Sequence, residues 1–250
     1  MSYTMTHLVT ADQYTKRHGM TYSEAALFLL ASFSPDSVHA DPNYDPAMKE
    51  RSHFMPEDIK WGDIYKEEQM NSWYESVRAF YRSRYSPSLL AMELAFLQGY
   101  AHHLLVDIFN CQWFYSPNLI QYELNVKAFR RDYREQCLNY DHFLYQNYEH
   151  TEDVFQKLNA GIELLEQYPI FERLNLQNEI LCNNIKEKIK LTEQEYITSN
   201  RVLMNMEMIT VEDSQRFIEE MRVQCDKLLF KFPEKEHLFK VNTKCEINLN

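Results

Sequence analysis

Four glycines in 250 residues are too few to turn the chain through a many-stranded sandwich or a Gly-rich nucleotide-binding sheet, so the backbone must be mostly helical. An all-α fold is therefore expected. With 45% hydrophobic and 25% charged residues the chain has the profile of a globular protein with a substantial core. No internal repeat or Gly/Ser linker divides it. The simplest division is one helical domain over residues 1–234 with a C-terminal tail over 235–250.

Thirty-seven Asp and Glu against twenty-six Lys and Arg give a net charge of −11, which opposes broad adhesion to nucleic acid or to anionic membranes. Any phosphate recognised here needs a local source of positive charge. The first residues, Met1-Ser-Tyr-Thr-Met-Thr-His7, lack the charged-then-apolar pattern of a leader, and no apolar run is long enough for a membrane span. A cytoplasmic location is the resulting expectation. Cys111, Cys137, Cys182, Cys225 and Cys245 are odd in number and contain no CxxC, so buried free thiols are expected rather than a disulfide framework or thiolate metal site.

Ser23 followed by Glu24 and an apolar run to Leu30 predicts a buried helix ending near Ser34-Pro35. The stretch from Pro35 to Pro56 reads as a long loop, and long loops in compact domains usually carry function. Helical spacing returns over Lys66–Arg84. Ser86-Pro87 then opens a helix that is apolar on nearly every side through Phe109. Further helices are predicted over about 118–147, 151–168, 172–190 and 192–208. A last one opens on a Thr210–Asp213 capping box and ends near Phe232-Pro233. Its apolar stripe fits either core packing or a homodimer contact.

Inside the central helix, Gly99, His103 and Asp107 follow at four-residue steps and share one face. A glycine there costs about 1 kcal/mol of helix propensity, which suggests that something approaches the backbone closely. Alone, His103 and Asp107 read equally well as a hydrogen-bonded pair. The long segment adds Asp36 near its start and His53 near its end, and two imidazoles with two carboxylates suit zinc, with manganese or iron also compatible. Calcium and magnesium fit imidazole poorly.

Thr6-His7-Leu8, Phe28-Leu-Leu-Ala-Ser-Phe-Ser-Pro35-Asp36, Lys49-Glu-Arg-Ser-His53-Phe54 and Gly99-Tyr-Ala-His-His103-Leu-Leu-Val-Asp107 stand in the order found in the bacterial zinc-dependent phospholipase C family, which is related to the single-strand-specific zinc nucleases. The chain resembles that family over roughly residues 5–115. The resemblance implies an all-α bundle of the phospholipase C type that hydrolyses phosphate esters with zinc. It implies Asp36, His53, His103 and Asp107 as ligands of one ion, with Asp107 bridging to a second that His7 also holds, and Asp36 as the catalytic residue that orients or deprotonates the attacking water. The family completes its second site with an N-terminal tryptophan, where this sequence has Met1, and its third with a histidine, where this sequence has Trp113, and a later histidine with a carboxylate one turn on, where His142 is followed by Gln146. His142, Glu149 and His150 are the alternative ligands on offer. Tyr100, Trp61 and Trp113 are candidate walls for a small phosphorylated or phosphodiester substrate.

The competing reading is a non-catalytic helical binding or structural protein in which a single metal pins the 35–53 segment to the central helix. HD-type phosphohydrolase chemistry needs a His directly followed by Asp, which the sequence lacks. His102, about 100° around the helix from His103, reads as a packing residue, as do His18, His39 and His237. No GxSxG elbow, P-loop or dinucleotide fingerprint is present.

Overall fold

The computed structural model describes residues 4–60, 62, 64–123, 125–199, 201 and 207–231, and every regular element among them is helical. In order these are α1 (Thr4–Arg17), α2 (Tyr22–Phe33), a 3-10 segment (Ser34–Ala40), α3 (Pro46–Ser52), α4 (Glu67–Arg84) and α5 (Ala91–Asn110). A π-helical turn (Cys111–Tyr115) carries α5 into α6 (Ser116–Gln121). Then come α7 (Val126–Asn147), α8 (Thr151–Gln167), α9 (Ile170–Leu174), α10 (Cys182–Thr198) and α11 (Val211–Lys231). The all-α expectation holds. No helix among the described residues is long and apolar enough to cross a membrane.

Several boundaries differ from those expected, each for a local reason. Helix α1 was not anticipated, because it is buried on most sides and shows no clean polar face: every residue from Met5 to Asp12 is buried. The N-cap of α2 is Thr21 rather than Ser23, and it forms a capping box in which Glu24, at the third helical position, accepts from the Thr21 amide at 2.8 Å. The long loop is partly folded into the 3-10 segment and α3. The expected 118–147 helix is interrupted around Glu123, which takes a left-handed backbone at φ 53°. Left-handed Asn175, at φ 51°, likewise ends α9. The expected break near residue 191 is absent, because Ile185, Ile189, Thr192 and Tyr196 form one buried stripe along a single helix, α10. The Thr210–Asp213 box is present, with the Asp213 amide donating to Thr210 Oγ1 at 3.0 Å. The tail over 235–250, His237, Cys245 and Trp61 lie outside the described residues. Cys111, Cys137 and Cys225 are buried free thiols, while Cys182 is partly exposed.

The core is organised around α2, in which every residue from Ala25 to Phe33 is buried. It lies between α5 and α8, and a glycine on each neighbour sets the spacing. A Cβ at Gly99 would lie 2.9 Å from Cα and C of Phe28 and would overlap its carbonyl oxygen. The close approach inferred at Gly99 is thus the backbone of α2. On the other side, a Cβ at Gly161 would sit 2.8 Å from the Ala26 carbonyl oxygen and 3.0 Å from Leu30 Cβ. Gly161→Ala is expected to lower stability by about 1–2 kcal/mol, read from a urea melt, because the crowding outweighs alanine's better helix propensity. Phe217, Ile218, Met221 and Cys225 of α11 are buried, and the helix packs on α1 and α5. This part of its stripe is core.

Candidate metal centre

Five side chains from four separate segments meet beside α5. His7 comes from α1, Asp36 from the 3-10 segment, His53 caps the C-terminus of α3, and His103 and Asp107 lie one turn apart on α5. Each is held by its own element. The carboxylate of Asp141 on α7 accepts from the Met5 amide at 2.7 Å and the Thr6 amide at 3.2 Å, fixing the first turn of the helix that presents His7. The end of α3 is fixed through its carbonyls: Tyr100 Oη donates to Ser52 O at 2.6 Å and Trp73 Nε1 to His53 O at 2.8 Å. The Ser52 hydroxyl donates to Pro35 O at 2.9 Å, joining α3 to the segment that carries Asp36.

His53 and His103 are oriented by the same device. His103 Nδ1 lies 2.7 Å from Ser32 O in the last turn of α2, and His53 Nδ1 lies 3.0 Å from Lys49 O in the last turn of α3. A carbonyl only accepts, so each Nδ1 carries the hydrogen and each Nε2 presents its lone pair to the centre. Burial pushes the His103 imidazole well below its ordinary pKa, with His7 adding to the effect. Burial and the Lys49 charge lower His53 as well. Both rings are neutral, with lone pairs available to a cation. Their Nε2 atoms are 3.2 Å apart. His7 stacks flat on His103 with ring centroids 3.7 Å apart.

The carboxylates complete the cage. Asp107 Oδ1 is 3.4 Å from His7 Nε2, while its Oδ2 is 3.5 Å from His53 Nε2 and 3.9 Å from His103 Nε2. Asp36 Oδ1 is 3.5 Å from His53 Nε2. Burial works to protonate both acids. The Lys49 ammonium does most to overcome it at Asp36, and the neighbouring His7 helps to overcome it at Asp107, so both carboxyls are held well below the usual carboxylate range. Bonds of ~2.0–2.1 Å to a tetrahedral ion place neighbouring donor atoms roughly 3.3–3.4 Å apart. The observed separations bracket that value, and the donors are deprotonated nitrogen and oxygen. His7, His103 and Asp107 form one group able to hold an ion, and Asp36, His53 and His103 form a second that shares His103.

Asp36 stands at the edge of this centre, where its carboxylate forms an ion pair with the nearly buried Lys49 ammonium at 2.8 Å. Both line a cleft of about 610 Å³. Its far walls come from α7, which contributes Arg130, Arg134 and His142, and from α10, which contributes Lys188 and Thr192. Sequence reasoning gave none of these cations a role. The available signal was the four-residue step from Arg130 to Arg134, which puts both on one face of α7. Asp141 also lines the cleft, and its burial raises the carboxyl to about 7 against hydrogen bonds from Tyr196, Met5 and Thr6. The folded chain therefore holds that proton more tightly than the unfolded chain, so the contribution of Asp141 is fully present below about pH 4 and is lost as pH rises towards about 7. Urea melts across this range should show a flatter pH profile for Asp141→Asn than for the natural chain.

The remaining candidates fall elsewhere. His142 Nε2 lies 2.9 Å from Gln146 Nε2, while His150 pairs on the surface with Glu149 at 3.1 Å, so the three do not assemble a further ion site. Tyr100 is buried in the core, and Trp113 packs on Phe217, so neither walls the cleft. His102 packs against Phe28 and Tyr14, His18 pairs with Asp226, and His39 stands beside Asp36 at 3.8 Å on the rim of the cleft. Set against protein-family models, curated proteins and solved structures, the chain matches none of them.

Proposed function

We propose that this protein is a metal-dependent hydrolase of phosphate esters, with zinc as its metal. The observation that carries the reading is the convergence of three imidazole Nε2 atoms and two ionised carboxylates at the edge of a 610 Å³ cleft. The motif order shared with the zinc-dependent phospholipase C family supports the same reading. Held by Asp36, His53, His103 and Asp107, with His7 on the far side of Asp107, zinc would supply Lewis-acid polarisation and a water whose pKa is lowered towards ~7.

The protein's own side chains divide the remaining work. Asp36 faces both the centre and the cleft, so its carboxylate can orient the attacking water. Its ion pair with Lys49 makes it a weak base, which favours orientation over proton storage. The Lys49 ammonium offers donors and a fixed positive charge to phosphate oxygens at the cleft wall. Hydrolysis adds water across the P–O bond, with the hydroxyl going to phosphorus and the proton to the departing oxygen. Elemental analysis of chain purified without added metal should find zinc. The metal-loaded protein should turn over at least one class among phospholipid head-group esters, nucleotides and aryl phosphates. Zinc content with no turnover on any class would instead favour the non-catalytic reading, in which the ion ties the 3-10 segment and α3 to α5.

A further inference from the structure

The cleft beside the metal centre is cationic in a chain whose net charge is −11. Lys49, Arg130, Arg134, Lys188 and Arg201 all line it. Two of its three carboxylates are already engaged: Asp36 by Lys49, and Asp141 by the first amides of α1 and by Tyr196. Glu195 is the third.

The cations are not equivalent. Lys49 is committed to Asp36, Arg201 to Glu135 at 2.9 Å, and Arg130 lies over Gly62. Arg134 and Lys188 have no ion-pair or hydrogen-bond partner among the described residues, whereas most other cations in the fold are paired. They come from different helices, α7 and α10, and α10 packs directly on the 3-10 segment that carries Asp36. Two buried polar groups on the same walls, Thr192 Oγ1 and His142 Nδ1, likewise find no partner among the described residues. Unmatched charge and unmatched polar atoms on one concave wall call for a ligand of opposite charge.

Building on the phosphoesterase reading, we propose that the substrate is a small organic phosphate bearing a second anionic group, with the ester phosphate at Asp36 and Lys49 and the second anion held between Arg134 and Lys188. A cleft of about 610 Å³ accommodates such a molecule whole. The second group is a phosphate or a carboxylate, both of which accept from guanidinium and ammonium donors.

Phosphonates test this without turnover, because their C–P bond resists hydrolysis. Propane-1,3-bisphosphonate, 4-phosphonobutanoate and propylphosphonate would be titrated calorimetrically into the zinc-loaded full chain at low ionic strength. At least one of the two doubly anionic ligands should bind about tenfold or more tighter than propylphosphonate, and the better of the two identifies the second group. Arg134→Ala with Lys188→Ala should abolish that preference while zinc content stays unchanged. Arg134→Lys with Lys188→Arg, which keeps both charges, should retain most of it. Equal binding of all three ligands by the natural chain, or a preference that survives the double alanine variant, would overturn the proposal. Failure of the phosphoesterase reading shows separately, as absent turnover of phosphate esters, and leaves the binding preference measurable.

Discussion

Gly99→Ala is expected to lower the stability of the fold by about 3 kcal/mol or more, although alanine is the better helix former by about 1 kcal/mol. The added Cβ would occupy the position of the Phe28 carbonyl oxygen, and backbone cannot move aside as a flexible side chain can. The two most buried helices, α2 and α5, would have to separate. For a chain of this length that loss corresponds to a fall in melting temperature of roughly 6–12 °C, measured by circular dichroism. The effect should extend to the metal centre. Gly99 is one turn from His103, and Phe28 is one turn from Ser32, whose carbonyl orients the His103 ring at 2.7 Å. On the proposed zinc reading, weakened metal binding should therefore accompany the lowered melt. A variant that melts at or above the natural chain would mean that α2 and α5 do not approach as closely as described.

On the proposed zinc reading, removing the metal is the second large perturbation. An ion present at ~1,000 times its dissociation constant stabilises the folded chain by ~4 kcal/mol, so a chelator should lower the melting temperature by roughly 8–16 °C. His103→Ala should abolish this response, because His103 belongs to both groups of donors. It should also reduce zinc affinity by more than about a hundredfold, beyond the cost typical of losing a supporting partner of a ligand. His102→Ala is the matched control. That neighbouring ring is equally buried but packs on Phe28 and Tyr14, so its loss should lower the melt and leave the chelator response in place. Equal chelator responses in both variants and the natural chain would remove the metal centre from consideration.

The donors of this centre were legible because each carries its chemistry in its residue type. His103 and Asp107 share a face by spacing alone, and Asp36 and His53 flank a stretch whose prolines and polar residues set it apart from the apolar helices. His7 was reached through the motif resemblance, since α1 is buried on most sides and shows no periodic face. The tyrosine and tryptophan that hold α3 through Ser52 O and His53 O were not legible in those roles, because hydrogen bonds to backbone carbonyls leave no pattern in sequence. The helix ends at Asn175 and around Glu123 were missed for a related reason. A left-handed backbone at a non-glycine residue is a local choice that propensity predicts poorly.

Glycine scarcity and apolar periodicity were enough to dictate a helical fold, since both act through the backbone and immediate neighbours. What packing alone could decide was distance: that Gly99 meets the carbonyl of Phe28, that five donors separated by up to a hundred positions form two groups of three sharing His103, and that Arg134 and Lys188 face the same cleft from different helices. Charge acts through space and is blind to chain order. An acidic chain can thus enclose a basic cleft that its composition conceals.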